Sequence, residues 1–253
     1  MRAAWQALKD ECARWRDAGR DVEFWWRDDD AAQPHPALAR LLDLALRSSV
    51  PLALAAIPLA ADGAALAGLD PGVTLVQHGS DHRNRAAAAE KKTEFPLSGG
   101  VDEAIARLVA ARDRLAALAP ARFMPVLAPP WNRIPGAFAP ALAAAGYRGL
   151  SQFGPRAAAE PSPGLVQVNT QVDVIAWTGG RGFAGEDAVL AAAVRHLAAK
   201  RAGQADAAEA TGWLSHHLVH DEAAWAFLER LFETLRAEPG VYWREARALF
   251  SGR

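Results

Sequence analysis

Three short segments hold most of the residues able to bind a metal or move a proton. The first is Arg27-Asp28-Asp29-Asp30, the second Gln77-His78-Gly79-Ser80-Asp81-His82. The third is Leu214-Ser215-His216-His217, with His220 just beyond. Three adjacent carboxylates repel one another unless a cation or a basic group offsets them. One of them then acts as a metal ligand and a neighbour as a general base, or the run is a solvated turn that caps the next helix. His78 and His82 lie four residues apart, and on a helical turn two imidazoles at that spacing face one cation. Alone, such a pair is more often a surface or hydrogen-bonded pair. His216 ends an apolar run, where a histidine is a proton donor or a core group with a backbone partner. Together, in this order and each after an apolar run, the segments read as the parts of a metal-dependent hydrolase.

Such parts need a scaffold that brings distant strand ends together. The spacing of Trp5, Leu8, Cys12 and Trp15 predicts a helix over 2–18, ended by Gly19. Val22-Glu23-Phe24-Trp25-Trp26 reads as a strand that stops at the aspartate run, with at least one tryptophan in the core. Further strands are expected over 52–57, 73–76, 123–127, 149–153, 165–169, 172–177 and 211–215. Helices are expected over 36–47, 101–118, 136–145, 186–201, 221–237 and 241–250, and surface loops over 154–164 and 202–210. Strands alternating with helices imply an α/β fold with parallel strands and helical crossovers. In a barrel of that kind every strand's C-terminal end opens on one face, so the three segments meet there. Residues 1–253 read as one domain, with 1–20 as an N-terminal helix packed on it.

With 51% hydrophobic and 23% charged residues, the chain has the apolar content of a packed core. A net charge of -1 argues against nucleic-acid and membrane-surface binding. A single cysteine, Cys12, excludes an intrachain disulfide and a cysteine zinc cluster, so any metal must use histidine and carboxylate. Charges interrupt the N-terminal segment, and no run reaches the ~20 apolar residues of a membrane span. The expected address is the cytoplasm.

The same segments resemble the motifs of the polysaccharide deacetylase family, the carbohydrate esterases of NodB homology. The family's Thr-Phe-Asp-Asp-Gly is similar to Arg27-Asp28-Asp29-Asp30-Ala31. That register makes Asp29 the base and Asp30 a metal ligand; shifted by one, Asp28 and Asp29 are the pair. His-Ser/Thr-x-x-His is similar to His78 through His82, which makes both histidines ligands. Arg-x-Pro-Tyr is similar to Ala128-Pro129-Pro130-Trp131-Asn132-Arg133, with Ala128 in place of the arginine. Arg27 or Arg133 is then to supply the charge, and Pro130, Trp131 and Arg133 to contact substrate. The fourth motif is similar to Asp173 through Trp177, with Asp173 orienting His216 or capping a turn. The fifth, Leu-x-His, is similar to Leu214-Ser215-His216, with His216 as the acid.

The resemblance spans about Phe24 to His217. It implies an irregular (β/α)7-type barrel and one divalent metal: zinc, with cobalt, nickel, manganese or iron as alternatives. The implied reaction removes an acetyl group from an N-acetylated glycan or small molecule. Another metal-dependent amide hydrolase and a metal-binding barrel without turnover are the competing readings. Asp28 is expected to support the site, and His217 and His220 to be supporting or surface groups. Glu90-Lys91-Lys92-Thr93-Glu94 reads as a solvated loop, or as a contact for an anionic substrate.

Overall fold

Apolar runs alternating with amphipathic helices build one parallel sheet wrapped by helices. The computed structural model describes residues 2–251. In order, it contains α1 (Arg2–Asp17), β1 (Val22–Ala31), α2 (Pro36–Ser48), β2 (Leu52–Ala56), α3 (Gly63–Leu66), β3 (Val73–His78), α4 (Val101–Leu118) and β4 (Phe123–Ala128). There follow α5 (Ala139–Ala144), β5 (Gly149–Leu150), β6 (Val166–Gln167), β7 (Val172–Asp173), β8 (Ile175–Ala176), β9 (Gly182–Phe183) and α6 (Glu186–Arg201). The chain ends with β10 (Thr211–Ser215), α7 (Glu222–Arg236), β11 (Val241–Trp243) and α8 (Ala246–Phe250).

The sheet order is β6-β5-β4-β3-β2-β1-β10-β7, with β11 also paired to β1 and β8–β9 a separate antiparallel pair. The main sheet curls into an irregular, incomplete (β/α) barrel. Trp25, Ala53, Ala55, Val76, Val126, Ala128 and Val168 share one apolar cluster inside it, with Phe250 of α8 beneath. Trp25 Nε1 donates to Asn169 O at 3.0 Å, linking β1 to the chain beyond β6. Gly212 makes room for this link, since a Cβ there would meet Trp25 Nε1 and Asn169 O within 2.7 Å. Trp26 points to the other face and packs on Phe232 of α7, ring centroids 4.7 Å apart. Both tryptophans are therefore core, one on each face, as the two-residue period of a strand requires. Helix α1 lies against α6: Trp15 Nε1 donates to Leu197 O, and buried Glu11 pairs with Arg201. Among the described residues no helix is long and apolar enough to cross a membrane.

The strands expected over 149–153 and 165–169 shorten to two residues each, and four further expectations change. Strand β1 runs on through the aspartate run to Ala31, because Arg27, Asp28 and Asp29 all find buried partners and need not turn to solvent. Residues 241–250 are not one helix: Val241 pairs with Val22, and that sheet contact overrides local helical preference before α8 begins. The strand expected over 172–177 splits into β7 and β8, as the Asp173 carboxylate accepts the Ile175 N–H at 2.8 Å and bends the chain. The helix expected over 136–145 starts as a 3-10 turn over Gly136–Phe138 and is α-helical only in α5.

One buried and one half-buried histidine set an acid limit. Burial lowers His196, on α6, and His220 to about 4, from 6.5. Between these values the unfolded chain binds protons that the folded chain refuses, so stability falls as pH falls through that window. Chemical denaturation at neutral pH and at about pH 5 is expected to show the loss, and His196→Leu to make it shallower.

Candidate metal centre

The two-residue period of β1 puts Trp25, Arg27 and Asp29 on the inner face and Trp26 and Asp28 on the outer one. Asp30 belongs by count to the outer face. It escapes because the β1–β2 register shifts between Asp28 and Ala31, and Asp30 takes a φ of 73°. The irregularity re-aims one side chain, as bulges at barrel rims do. Adjacent Asp29 and Asp30 therefore both reach one cleft.

Asp30 meets the two histidines of the second segment there. Asp30 Oδ1 lies 3.3 Å from His78 Nε2 and 3.4 Å from His82 Nε2, and donor atoms of all three lie within 4.8 Å of one another. The histidines do not share a helical turn. His78 ends β3, and His82 sits in the following loop at a φ of 57°. His78 Nδ1 faces Ala128 O at 2.9 Å, so an N–H there leaves the Nε2 lone pair for a cation. Asp30 Oδ1 is buried without a hydrogen-bond partner among the described residues. Burial pushes the His78 imidazole down, but the Asp29 and Asp30 carboxylates outweigh it and raise it. Despite burial, Asp30 is held far below the usual carboxylate range, chiefly by His78. These two shifts describe the His78–Asp30 pair; His82 goes the other way, lowered by burial and by the neighbouring His78. An orphaned carboxylate oxygen and two imidazole nitrogens, one with its tautomer set by a carbonyl, fit a divalent metal with open positions for water and substrate.

Beside it, Arg27 grips Asp29. Arg27 Nε donates to Asp29 Oδ1 at 2.9 Å and Nη2 to Oδ2 at 3.0 Å, with both side chains buried. The guanidinium also donates to Ser151 O and Oγ and to Asn132 Oδ1. A buried ion pair is tolerable when its remaining donors are met in this way. Arg27, two residues before Asp29 on the same inner face, thus stands where the absent arginine of the third motif was expected. Arg133 does not: its Nη1 donates to Lys92 O.

His216 lies on the far side of Asp29, Nε2 to Oδ2 3.9 Å, and its ring stands edge-on to Trp177 at 4.6 Å. Its Nδ1 is buried with no partner among the described residues. The expected bond from Asp173 is not made, because Asp173 accepts from Ile175 N and from Trp177 Nε1. Asp173 turns the chain and holds the tryptophan; burial raises its carboxyl.

Asp28 is outside this cleft. Its carboxylate accepts from Ser215 Oγ at 2.6 Å and pairs with His217 Nδ1 at 2.5 Å, and Ser215 Oγ in turn accepts from Trp26 Nε1. Both Asp28 and His217 are buried, so the pair is an internal clamp between β1 and the end of β10. His217 is not a surface group, and the register that made Asp28 the base loses its geometry.

Glu94, which the charged run suggests is solvated, is buried. Its carboxylate accepts from Ser80 N, Ser80 Oγ and His82 N, so it fixes the loop that carries His82. No apolar period marks such a residue in a charged run. Pro130, expected to contact substrate, is instead buried and packs on Gly79, while Trp131 and Arg133 face the cleft. Gly79 has a φ of 63°, and a Cβ would come within 2.6 Å of Pro130 Cγ. Gly79→Ala is expected to cost about 1–3 kcal/mol, read as a lower denaturation midpoint, and to weaken metal uptake by displacing His82.

The cleft holds about 590 Å³ and is lined by Asp29, Asp30, His78, His82, Trp131 and His216 together with Asn132, Phe153, Asp173 and Trp177. Three cations, Lys92, Arg133 and Arg181, complete the lining. Lys92 and Trp177 belong to segments the sequence singles out, whereas Phe153 and Arg181 carry no signal there; only the fold brings all four, from separate loops, to one cleft.

No protein-family model matches the sequence, and no curated protein matches it. Solved structures share its overall fold. A protein of Mycobacterium smegmatis assigned as a polysaccharide deacetylase aligns with a TM-score of 0.61 at 13% identity, over 92% of this chain and 90% of its own. A peptidoglycan N-acetylglucosamine deacetylase aligns at 0.57 and 15%, over 92% and 90%. A family 4 carbohydrate esterase from Streptomyces lividans, solved with acetate, aligns at 0.52 and 13%, over 87% and 90%. At these identities the likeness is one of architecture, and it spans nearly the whole of each chain: this chain has the polysaccharide deacetylase fold.

Proposed function

We propose that the protein is a metal-dependent deacetylase that releases acetate from an N-acetylated sugar or glycan. The observation that carries this is the joining, in one cleft, of the Asp30–His78–His82 cluster, the Arg27-bound Asp29 and His216. The acetate bound to the Streptomyces lividans esterase is the product this reading expects.

Asp30, His78 and His82 would hold the metal, and zinc suits two imidazoles and one carboxylate. When bound, a divalent cation polarises the acyl carbonyl and brings water within reach of ionisation near neutral pH. Asp29 accepts the proton of the water that attacks the acyl carbon. Arg27 holds both oxygens of Asp29 and so fixes its direction. The Trp131 N–H, at the cleft wall, donates to the developing oxyanion. His216 delivers a proton to the nitrogen as the C–N bond breaks, so the amine leaves instead of the water. Trp131 and Trp177 offer aromatic faces to a sugar ring.

The test is acetate release from N-acetylglucosamine oligomers by protein as purified, stripped with a chelator, and resupplied with zinc. Release lost on stripping and regained with zinc supports the reading. Release that survives complete removal of metal overturns it, as does cleavage of a different amide with no acetate from any sugar.

A further inference from the structure

Three cations at the cleft have no part in the proposed chemistry. Lys92 comes from the loop after β3, Arg133 from the loop after β4, and Arg181 from the turn between β8 and β9. All three are exposed, and among the described residues none has a carboxylate within ion-pairing distance. Some arginines elsewhere do pair with carboxylates, as Arg40 with Glu222 and Arg85 with Asp81, while exposed Arg148 and Arg195 form no such pair among the described residues; what sets these three apart is that they line one cleft.

Two of the cations are tied together. Arg133 Nη1 donates to Lys92 O at 3.0 Å, and Thr93 Oγ1 donates to Arg133 O at 3.0 Å. Both bonds end on backbone carbonyls, so they hold the two loops together at one wall of the cleft, where an anion would meet both cations. The carboxylates of the cleft are committed elsewhere. Asp29 has both oxygens on Arg27, Asp173 is taken by Ile175 N and Trp177 Nε1, and Asp30 belongs to the metal cluster. With a divalent cation in place the cleft carries a clear positive excess, although the chain as a whole has a net charge of -1.

We infer that the substrate carries an anionic group, a carboxylate or a phosphate, beside its N-acetyl group, and that Lys92, Arg133 and Arg181 receive it. The inference rests on the deacetylase reading above. Arginine suits this role because its planar fork meets either oxyanion with two parallel bonds.

The experiment compares acetate release from N-acetylglucosamine, N-acetylmuramic acid and N-acetylglucosamine 6-phosphate by the zinc-loaded protein. The ratio of kcat/KM, anionic to neutral, is expected to be roughly tenfold or more, carried mainly by KM, since each exposed charge contact contributes modestly. The ratio is expected to fall as salt is raised and to approach one in Lys92→Ala/Arg133→Gln/Arg181→Ala. The carboxylate and phosphate sugars separate the two sources of charge. A ratio near one in the wild type, or a ratio untouched in the triple variant, overturns the inference. Should no sugar release acetate, equilibrium binding of the two anionic sugars to the zinc-loaded protein decides. Binding lost in the triple variant keeps the anion site and rejects deacetylation; absent or unaltered binding rejects the anion site too.

Discussion

Arg27→Met is expected to destabilise the protein by about 3–5 kcal/mol and to remove nearly all acetate release, because it leaves the Asp29 carboxylate buried without a counter-charge. Both side chains are almost wholly inaccessible, and among the described residues the next basic group, His216, lies 3.9 Å from Asp29. The loss of activity alone does not separate a folding defect from a catalytic one. Asp29→Asn in the Arg27→Met background does, since it removes the stranded charge. Urea denaturation of both single variants and the double variant is expected to give a double variant less destabilised than the sum of the singles, while activity stays absent. Additive losses would show that Arg27 acts through Ser151 and Asn132, not through Asp29. Arg27→Lys is expected to recover stability in part and activity poorly, since an ammonium cannot hold both carboxylate oxygens in one plane.

His78→Ala/His82→Ala is expected to abolish both bound metal and turnover, and Asp30→Ala to do the same through loss of the third ligand. Asp29→Asn and His216→Ala are expected to keep the metal and lose turnover by about 10²–10⁴-fold, the usual worth of a positioned base or acid. Elemental analysis beside acetate release reads both quantities. The pairing matters more than either number. Metal retained in Asp30→Ala but lost in Asp28→Ala would reverse the placement of the ligand. Full turnover in both Asp29→Asn and His216→Ala would remove the two proton-transfer roles. Asp28→Ala is expected instead to act on stability, since it strands His217 and Ser215.

The chain announced its architecture through local physics. Alternating apolar runs and amphipathic stretches specify parallel strands with helical crossovers, and the segments carrying aspartate and histidine follow those runs, so they collect at one barrel mouth. That His78, His82 and His216 reach one cleft was legible for that reason. Side-chain type and place in a periodic pattern are properties of the chain itself.

What the pattern left open needed contacts between residues far apart in sequence. Which of Asp28, Asp29 and Asp30 joins His78 and His82 turns on a shift of pairing between β1 and β2, and a strand's own alternation predicts the wrong face for Asp30. That Arg27 and not Arg133 serves Asp29 depends on which face of β1 closes over Ser151 and Asn132. Glu94 looked like solvated charge until the Ser80 and His82 amides folded onto it. Residues 241–250 look helical in isolation and become strand and helix because Val22 offers Val241 a pairing edge. Spacing along the chain selects faces and periods. Partners for buried charge, and the bulge that re-aims Asp30, exist only once the sheet has closed, because each is an energy shared between segments that no single segment contains.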